Sequence, residues 1–432
     1  MGETLARCAP RFHQPKLTWF VLAAVVVVVV SAGPLVGPRT GIAARTVSAL
    51  QVALAAHAHD PYTLTSPNLQ DYGTFGYSAA ISGSTLVVGA PGETVGGNAY
   101  AGNVYVFKAT TGSLVKTLTS PNPPSGEFGF SVAMSGKTVV VGAPEETYSG
   151  ELSAGRAYVF NTAGTLLTTL VSPDPQIGAD FGWQVAISGS TIAVSAPFQE
   201  VLGQPIAGQV YLFKTTGSLM QTLTSPDTLY YGNGNSSYFG YGLALSGSTV
   251  IVGAPGESAP GCPYGGHAYV YKTTSGTLLE TLTSPNANPY GDFGYTLAVS
   301  GKTVIIGAPG EAVAGQNDSG RAYAFALKTG ALTATFVSPN GAYEGFFGNA
   351  VAMSKSTVVI GAFGETISNA TEAGRAYSFS SSGSLLSTFT SPNVQSYGQF
   401  GLSVAVSGKT TIIGAPYEMA AGLVNAGHAY RV

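Results

Sequence analysis

Residues 128–144 read FGFSVAMSGKTVVVGAP, and this stretch decides the fold. It opens with a Phe-Gly pair, carries a Ser-Gly turn in the middle and reaches a Gly-Ala-Pro element fourteen residues after the phenylalanine. Glycine accepts the positive φ of a two-residue type II′ hairpin, so the apolar runs beside the turn are predicted to pair as antiparallel strands. The second run, Val139–Val141, is β-branched throughout, which predicts burial on both faces.

The same pattern recurs seven times. Phe-Gly pairs begin at Phe75, Phe128, Phe181, Phe239, Phe293, Phe347 and Phe400. Gly-Ala-Pro-like elements begin at Gly89, Gly142, Ser195, Gly253, Gly307, Gly361 and Gly414. A Ser-Pro pair precedes each repeat, at Ser66, Ser120, Ser172, Ser225, Ser284, Ser338 and Ser391. Three markers therefore agree on seven repeats of a size typical of structural repeat proteins.

Each repeat is predicted to contain four strands. In the second repeat the two strands of the hairpin are followed by Ala157–Phe160, a Gly-containing turn and Leu166–Val171. Four antiparallel strands repeated radially are typical of propeller blades. The sequence therefore predicts an all-β fold, a seven-bladed β-propeller of four-stranded antiparallel blades.

The two ends of the repeat region predict how the ring closes. The seventh repeat reaches Val432 on its third strand, whereas residues 62–68, YTLTSPN, copy the fourth-strand segment 115–122, VKTLTSPN. We therefore expect the N-terminal strand to complete the last blade, because pairing there removes an open sheet edge.

The first sixty residues are predicted to lie outside the propeller. Arg7, Arg11 and Lys16 precede an apolar run, Trp19–Ala32, whose length suits a signal peptide better than a membrane span. We expect residues 1–33 to be a signal peptide or membrane anchor, residues 34–60 an Ala-rich linker and residues 61–432 the propeller. This organisation predicts an extracellular or cell-surface protein.

The composition argues against nucleic acid as a partner. Only 9% of the residues are charged and the formal net charge is −3, so the chain has no basic field to hold a phosphate backbone. We expect a monomer whose partner is a protein or a glycan.

The Phe-Gly and Gly-Ala-Pro elements resemble the FG-GAP repeats of integrin α-subunit propellers and of microbial surface proteins. The resemblance implies adhesion, lectin or scaffold functions. Integrin-type repeats often bind calcium through carboxylates in the first hairpin turn, but the turns here, such as Ser82–Thr85 and Ser300–Thr303, contain none. His267 and His428 lie three blades apart. We therefore predict no metal site and no cofactor.

Repeated polar residues suggest a structural contact within each blade. A glutamate follows each Gly-Ala-Pro-like element, at Glu93, Glu146, Glu200, Glu257, Glu311, Glu365 and Glu418. Polar residues open the third strands, at Asn103, Arg156, Gln209, His267, Arg321, Arg375 and His428. We interpret the glutamates, with Arg156, Arg321 and Arg375, as hydrogen-bonded loop clamps, because a reaction centre needs only one copy.

Residues that break the repeat are better candidates for ligand binding. We predict a binding role for aromatic residues in and beside the loops that precede the first strands: Tyr72, Tyr231, Tyr290, Tyr343, Tyr397 and Trp183. The residues that directly follow Phe-Gly have packing between blades as an alternative role: Tyr77, Phe130, Trp183, Tyr241 and Tyr295. Asp180 and Asp292 precede Phe-Gly where other repeats vary, which we interpret as loop variation.

No catalytic motif is present, so no catalytic residue is predicted. The sequence favours an adhesion or scaffold module that binds proteins. Lectin-like carbohydrate binding is the first alternative, and an enzyme that acts on polysaccharides is the second.

Overall fold

A computed structural model describes residues 62–122, 125–227, 236–259 and 262–432. These residues form seven four-stranded antiparallel sheets, which confirms the predicted propeller. Within this part of the chain, no helix is long and apolar enough to cross a membrane. The predicted leader, residues 1–33, and the linker, residues 34–60, lie outside the described residues.

The strands follow one another in the same order in every blade. Blades 1 and 2 contain β2 (Ser78–Ser82), β3 (Thr85–Ala90), β4 (Asn103–Lys108), β5 (Leu114–Thr119), β6 (Ser131–Ser135), β7 (Thr138–Ala143), β8 (Arg156–Asn161) and β9 (Leu166–Leu170). Blades 3 and 4 contain β10 (Val185–Ser188), β11 (Thr191–Ala196), β12 (Gln209–Lys214), β13 (Leu219–Thr224), β14 (Leu243–Ser246), β15 (Thr249–Ala254), β16 (His267–Lys272) and β17 (Leu278–Thr283). Blades 5 and 6 contain β18 (Leu297–Ser300), β19 (Thr303–Ala308), β20 (Arg321–Ala326), β21 (Ala331–Val337), β22 (Val351–Ser354), β23 (Thr357–Ala362), β24 (Arg375–Ser380) and β25 (Leu385–Thr390). Blade 7 contains β26 (Ser403–Ser407), β27 (Thr410–Ala415), β28 (His428–Arg431) and, from the N-terminal end, β1 (Tyr62–Leu64).

The first strand of each blade lies innermost. β2, β6, β10, β14, β18, β22 and β26 each contact the first strand of the next blade, and β26 contacts β2 to close the ring. Strands 1 and 2 are joined by the Ser-Gly turns, so that Ser135 pairs with Thr138 in blade 2. The predicted hairpin is thereby confirmed.

The N-terminal strand completes the last blade as predicted. β1 pairs antiparallel with β28, and the partners are Tyr62 with Arg431, Thr63 with Tyr430 and Leu64 with Ala429. Residues from the two ends of the propeller thus share one sheet.

The repeated motif builds the core between adjacent blades. Phe128 is fully buried and packs in one cluster with Val104 of blade 1 and Tyr158 of blade 2. A Cβ at Gly142 would lie 2.0 Å from the carbonyl oxygen of Gly182 in the next blade, so this position admits only glycine without a shift of backbone. Phenylalanine and glycine therefore serve the same blade contact, one by filling space and the other by leaving it.

Two kinds of loop share one end of the propeller. Because the strands alternate in direction, the loop between strands 2 and 3 and the loop from strand 4 to the next blade must emerge at the same end. We call this end the loop face. Backbone hydrogen bonds join the two kinds of loop across blades, as between the Tyr72 amide and the Val424 carbonyl at 2.7 Å.

Candidate binding face

The predicted clamps lie beneath the loop face. In blade 2, Glu146 accepts hydrogen bonds from Arg156 at 2.9 Å, from Tyr158 at 2.5 Å and from Ser120 at 2.5 Å. Ser120 belongs to the preceding blade, so the contact joins two blades as well as two strands. The tyrosine and the serine were not predicted as clamp residues, although the tyrosine lies twelve residues after the clamp residue in every repeat and the serine belongs to the Ser-Pro marker.

The arginine contacts repeat in blades 5 and 6. Arg321 lies 3.3 Å from Glu311, and Arg375 lies 2.9 Å from Glu365. Histidine takes the place of arginine in blades 4 and 7, where His428 lies 2.9 Å from Glu418. In blade 1, Asn103 donates to Glu93 at 2.5 Å.

The assignment of Glu200 to this set is wrong. Glu200 is exposed, because it lies five residues past the start of its Gly-Ala-Pro-like element rather than four. Gln199 occupies the clamp position and accepts a hydrogen bond from Tyr211 at 2.7 Å. A neutral amide can therefore replace the carboxylate in the clamp.

The environment of the clamps keeps the tyrosine hydroxyls protonated. Burial, with the charge of Glu146 as a further cause, raises the pKa of Tyr158 to about 12. Burial also raises the pKa of the Glu93 and Glu311 carboxyls, and the surrounding hydrogen-bond donors oppose that rise. A buried carboxylate that accepts several hydrogen bonds is already satisfied, which fits a structural role better than a binding role.

An arc of five aromatic residues lies just before the first strands of blades 1 to 5. Ring centroids are separated by 5.1 Å from Tyr77 to Phe130, 4.7 Å from Phe130 to Trp183, 5.3 Å from Trp183 to Tyr241 and 4.8 Å from Tyr241 to Tyr295. We call these residues the aromatic arc. Each of the five residues is half-buried, so the arc packs between blades and leaves part of these residues exposed. Trp183 lies at its centre.

Three carboxyl groups lie next to the arc. Burial raises the pKa of Glu127 to about 7, with the Glu145 carboxylate as a further cause. The pKa of Asp180 rises to about 8 through burial and through Glu145 and Glu127. Burial and Asp318 raise the pKa of Asp292 to about 8. These acids differ in identity from the matching residues of other blades, which on the sequence alone suggested loop variation at Asp180 and Asp292.

The predicted loop tyrosines stand further out on the loop face. Tyr72, Tyr290 and Tyr397 are 51%, 40% and 58% exposed. All three adopt a left-handed backbone, with φ of 59°, 61° and 62°. Tyr290 stacks on Tyr264 with ring centroids 5.4 Å apart. Tyr343 is also exposed, whereas Tyr231 lies outside the described residues.

The seven repeats match a known protein family. A family model described as the FG-GAP repeat matches residues 62–107, 118–160, 165–213, 220–271, 277–325, 331–379 and 384–432. No curated protein matches the chain. Among solved structures, the crystal structure of the computationally designed Ika8 protein is 14% identical with a TM-score of 0.48, and the match covers 85% of this chain and 98% of that one.

Proposed function

This chain belongs to the FG-GAP repeat family, and we propose that it is an extracellular or cell-surface propeller that binds another protein through its loop face. The observation that carries the proposal is the set of exposed tyrosines with left-handed backbone. The FG-GAP repeat propeller fold is consistent with a scaffold that binds another protein.

The local backbone does not explain why tyrosine stands at these positions, and the exposure of the rings is what indicates a surface role. Blade 3 places Gly178 at the matching position, with φ of 64°. Glycine adopts this conformation freely, whereas a bulky residue is strained there by about 1 kcal/mol or more. Tyr72, Tyr290 and Tyr397 accept that strain and still expose much of their rings. Tyrosine is enriched at the centres of protein interfaces, where its ring packs and its hydroxyl bonds.

The aromatic arc and the three acids beside it, Glu127, Asp180 and Asp292, form what we call the mouth of the axis, and this group suits a partner with a basic side chain. Aromatic faces attract a cation, and Trp183 and its neighbours supply such faces. Glu127, Asp180 and Asp292 supply carboxyls that lose their protons near pH 7 to 8 and would do so at lower pH beside a bound cation. A lysine or arginine of the partner is therefore the group we expect to enter the mouth.

Carbohydrate binding is the second candidate, and the exposed tyrosines favour it too. Sugar rings stack on exposed aromatic faces, and Tyr397 is 58% exposed. The two candidates differ in what the mouth would contribute, since a neutral glycan gains little from three acidic groups.

The test uses labelled full-length chain on an array of extracellular proteins and on an array of glycans. Hits are then measured by interferometry with the variant Tyr72→Asn, Tyr290→Asn, Tyr397→Asn. Asparagine tolerates the left-handed backbone, so the fold is retained while the rings are lost. We expect protein hits whose affinity falls at least about tenfold in the variant, the effect of losing an interface hot spot.

Lys355→Asn is the matched control, because Lys355 has φ of 54° in a first hairpin turn at the opposite end. This variant should bind as the wild type does. Equal binding by the triple variant would refute the proposal, and hits confined to glycans would favour the second candidate. Our proposal is binding without catalysis, so release of products from a polysaccharide would also contradict it.

A further inference from the structure

One clamp departs from all the others, at the contact between blades 3 and 4. The residue after each Ser-Pro pair is asparagine in five repeats, at Asn68, Asn122, Asn286, Asn340 and Asn393. The other two repeats have Asp174 and Asp227. These residues lie beside the buried clamp, where Asn122 donates to Tyr158 at 2.9 Å.

Blade 3 compensates for its aspartate. The clamp residue there is Gln199, whose amide donates to the Asp174 carboxylate at 3.2 Å. The clamp of blade 3 thus contains one acid, Asp174, and one amide, Gln199. The blades that combine asparagine with glutamate also contain one acid and one amide. Blade 4 instead keeps both acids, Asp227 and Glu257, and has His267 where three other blades have arginine.

These three side chains converge at the contact between blades 3 and 4. One ligand atom from each of Asp227, Glu257 and His267 lies within 4.8 Å of the others. Glu257 and His267 are buried, with 7% and 8% exposure. The Nδ1 atom of His267 makes no hydrogen bond, although it lies 3.1 Å from Oε2 of Glu257. Two ligands of one zinc ion, each with a bond of about 2.0 to 2.2 Å, lie about 3.0 to 3.5 Å apart.

The sequence alone predicted no metal site, but from this convergence we propose that Asp227, Glu257 and His267 bind a divalent transition metal such as Zn²⁺. Glu257 accepts hydrogen bonds from the hydroxyls of Ser225, Ser237 and Tyr269, but these donors are neutral and leave its negative charge in place. A divalent cation would balance the charge that Asp227 and Glu257 bring to the imidazole of His267. Imidazole selects zinc and related ions over calcium and magnesium, which prefer ligand sets of oxygen alone.

The metal would join two blades. Asp227 lies just past the end of β13, the fourth strand of blade 3, whereas Glu257 and His267 belong to blade 4. The ion would therefore replace the arginine contact that closes the clamp in blades 2, 5 and 6. Three protein ligands leave a further coordination position for water or another group.

Blade 7 provides a matched comparison, because it has the same glutamate and histidine with Asn393 in place of the aspartate. His428 lies 2.9 Å from Glu418, and its Nδ1 atom likewise makes no hydrogen bond. Asn393→Asp should therefore create a second site, and Asp227→Asn should convert blade 4 into a copy of blade 7.

The experiment measures Zn²⁺ bound to the full chain by equilibrium dialysis and the visible spectrum of the Co²⁺ form. Relative to wild type, we expect Asp227→Asn to lose one zinc equivalent or bind it at least about tenfold more weakly, and Asn393→Asp to gain one. His267→Arg, which introduces the arginine that blades 2, 5 and 6 have at this position, should lose the cobalt spectrum while remaining folded. Equal zinc and cobalt binding by the wild type, Asp227→Asn and His267→Arg would overturn the proposal, as would stronger retention of Ca²⁺ than of Zn²⁺.

Discussion

The clamps and the mouth of the axis both contain carboxylic acid side chains, but the surroundings of these acids differ. Glu146 is buried, accepts three hydrogen bonds and has counterparts in most blades. Asp180 is also largely removed from water, but its neighbours are other acids and its counterparts differ from blade to blade. Hydrogen bonds satisfy the first acid, whereas burial and neighbouring acids disfavour the charged form of the second. Repetition therefore marks residues that hold the fold, whereas broken repetition marks residues that folding alone does not explain.

The largest expected effect concerns the closure of the ring. Deletion of residues 62–68 removes β1 and also Ser66, which donates to Glu93. The edge of β28 would then be unpaired, and an open edge promotes association between chains. We expect a lower melting temperature and oligomers in size-exclusion chromatography. A monomer that melts as the wild type does would show that β1 contributes nothing to closure.

A smaller effect is expected at a single clamp. Glu146→Gln should lower the free energy of unfolding by about 1 kcal/mol, the value of a charge-assisted hydrogen bond between a buried carboxylate and the partly exposed Arg156. Arg156→Met should also destabilise the protein. The double variant should lose less than the sum, because the Glu146–Arg156 contact is removed only once. Chemical denaturation of the four proteins measures this coupling, and fully additive losses would mean that the two residues act separately.

The sequence predicted the number of blades and the closure of the ring well because its markers are local. Phe-Gly, Gly-Ala-Pro and Ser-Pro each specify a turn or a close packing contact within one repeat, so spacing alone counts the blades. The identity of β1 as the last fourth strand followed from the same local similarity.

The site was less predictable because its contacts cross between repeats. Glu127 and Asp180 belong to different blades, and only the ring brings their charges within reach of each other. Asp227 lies 40 residues before His267, so no short motif joins them. Gln199 was missed for a simpler reason, since Glu200 stands beside it and carries the expected charge.

We expect clamp acids to stabilise the fold and mouth acids not to, and the pH dependence of unfolding distinguishes the two groups. The pKa of Asp180 is about 8 in the folded protein against an ordinary value of 3.8. Between about pH 4 and pH 8 the folded state therefore holds a proton that the unfolded state has released, so this carboxyl makes stability fall as pH rises.

The measurement is the free energy of unfolding of the wild type, Glu146→Gln and Asp180→Asn at pH 5 and pH 8. Asparagine tolerates the left-handed backbone of Asp180, whose φ is 55°. We predict that Asp180→Asn loses less stability than the wild type between the two pH values and is the more stable protein at pH 8. Glu146→Gln should be less stable than the wild type at both. Equal pH dependence in the wild type and Asp180→Asn, together with a loss of stability at pH 8, would contradict the account.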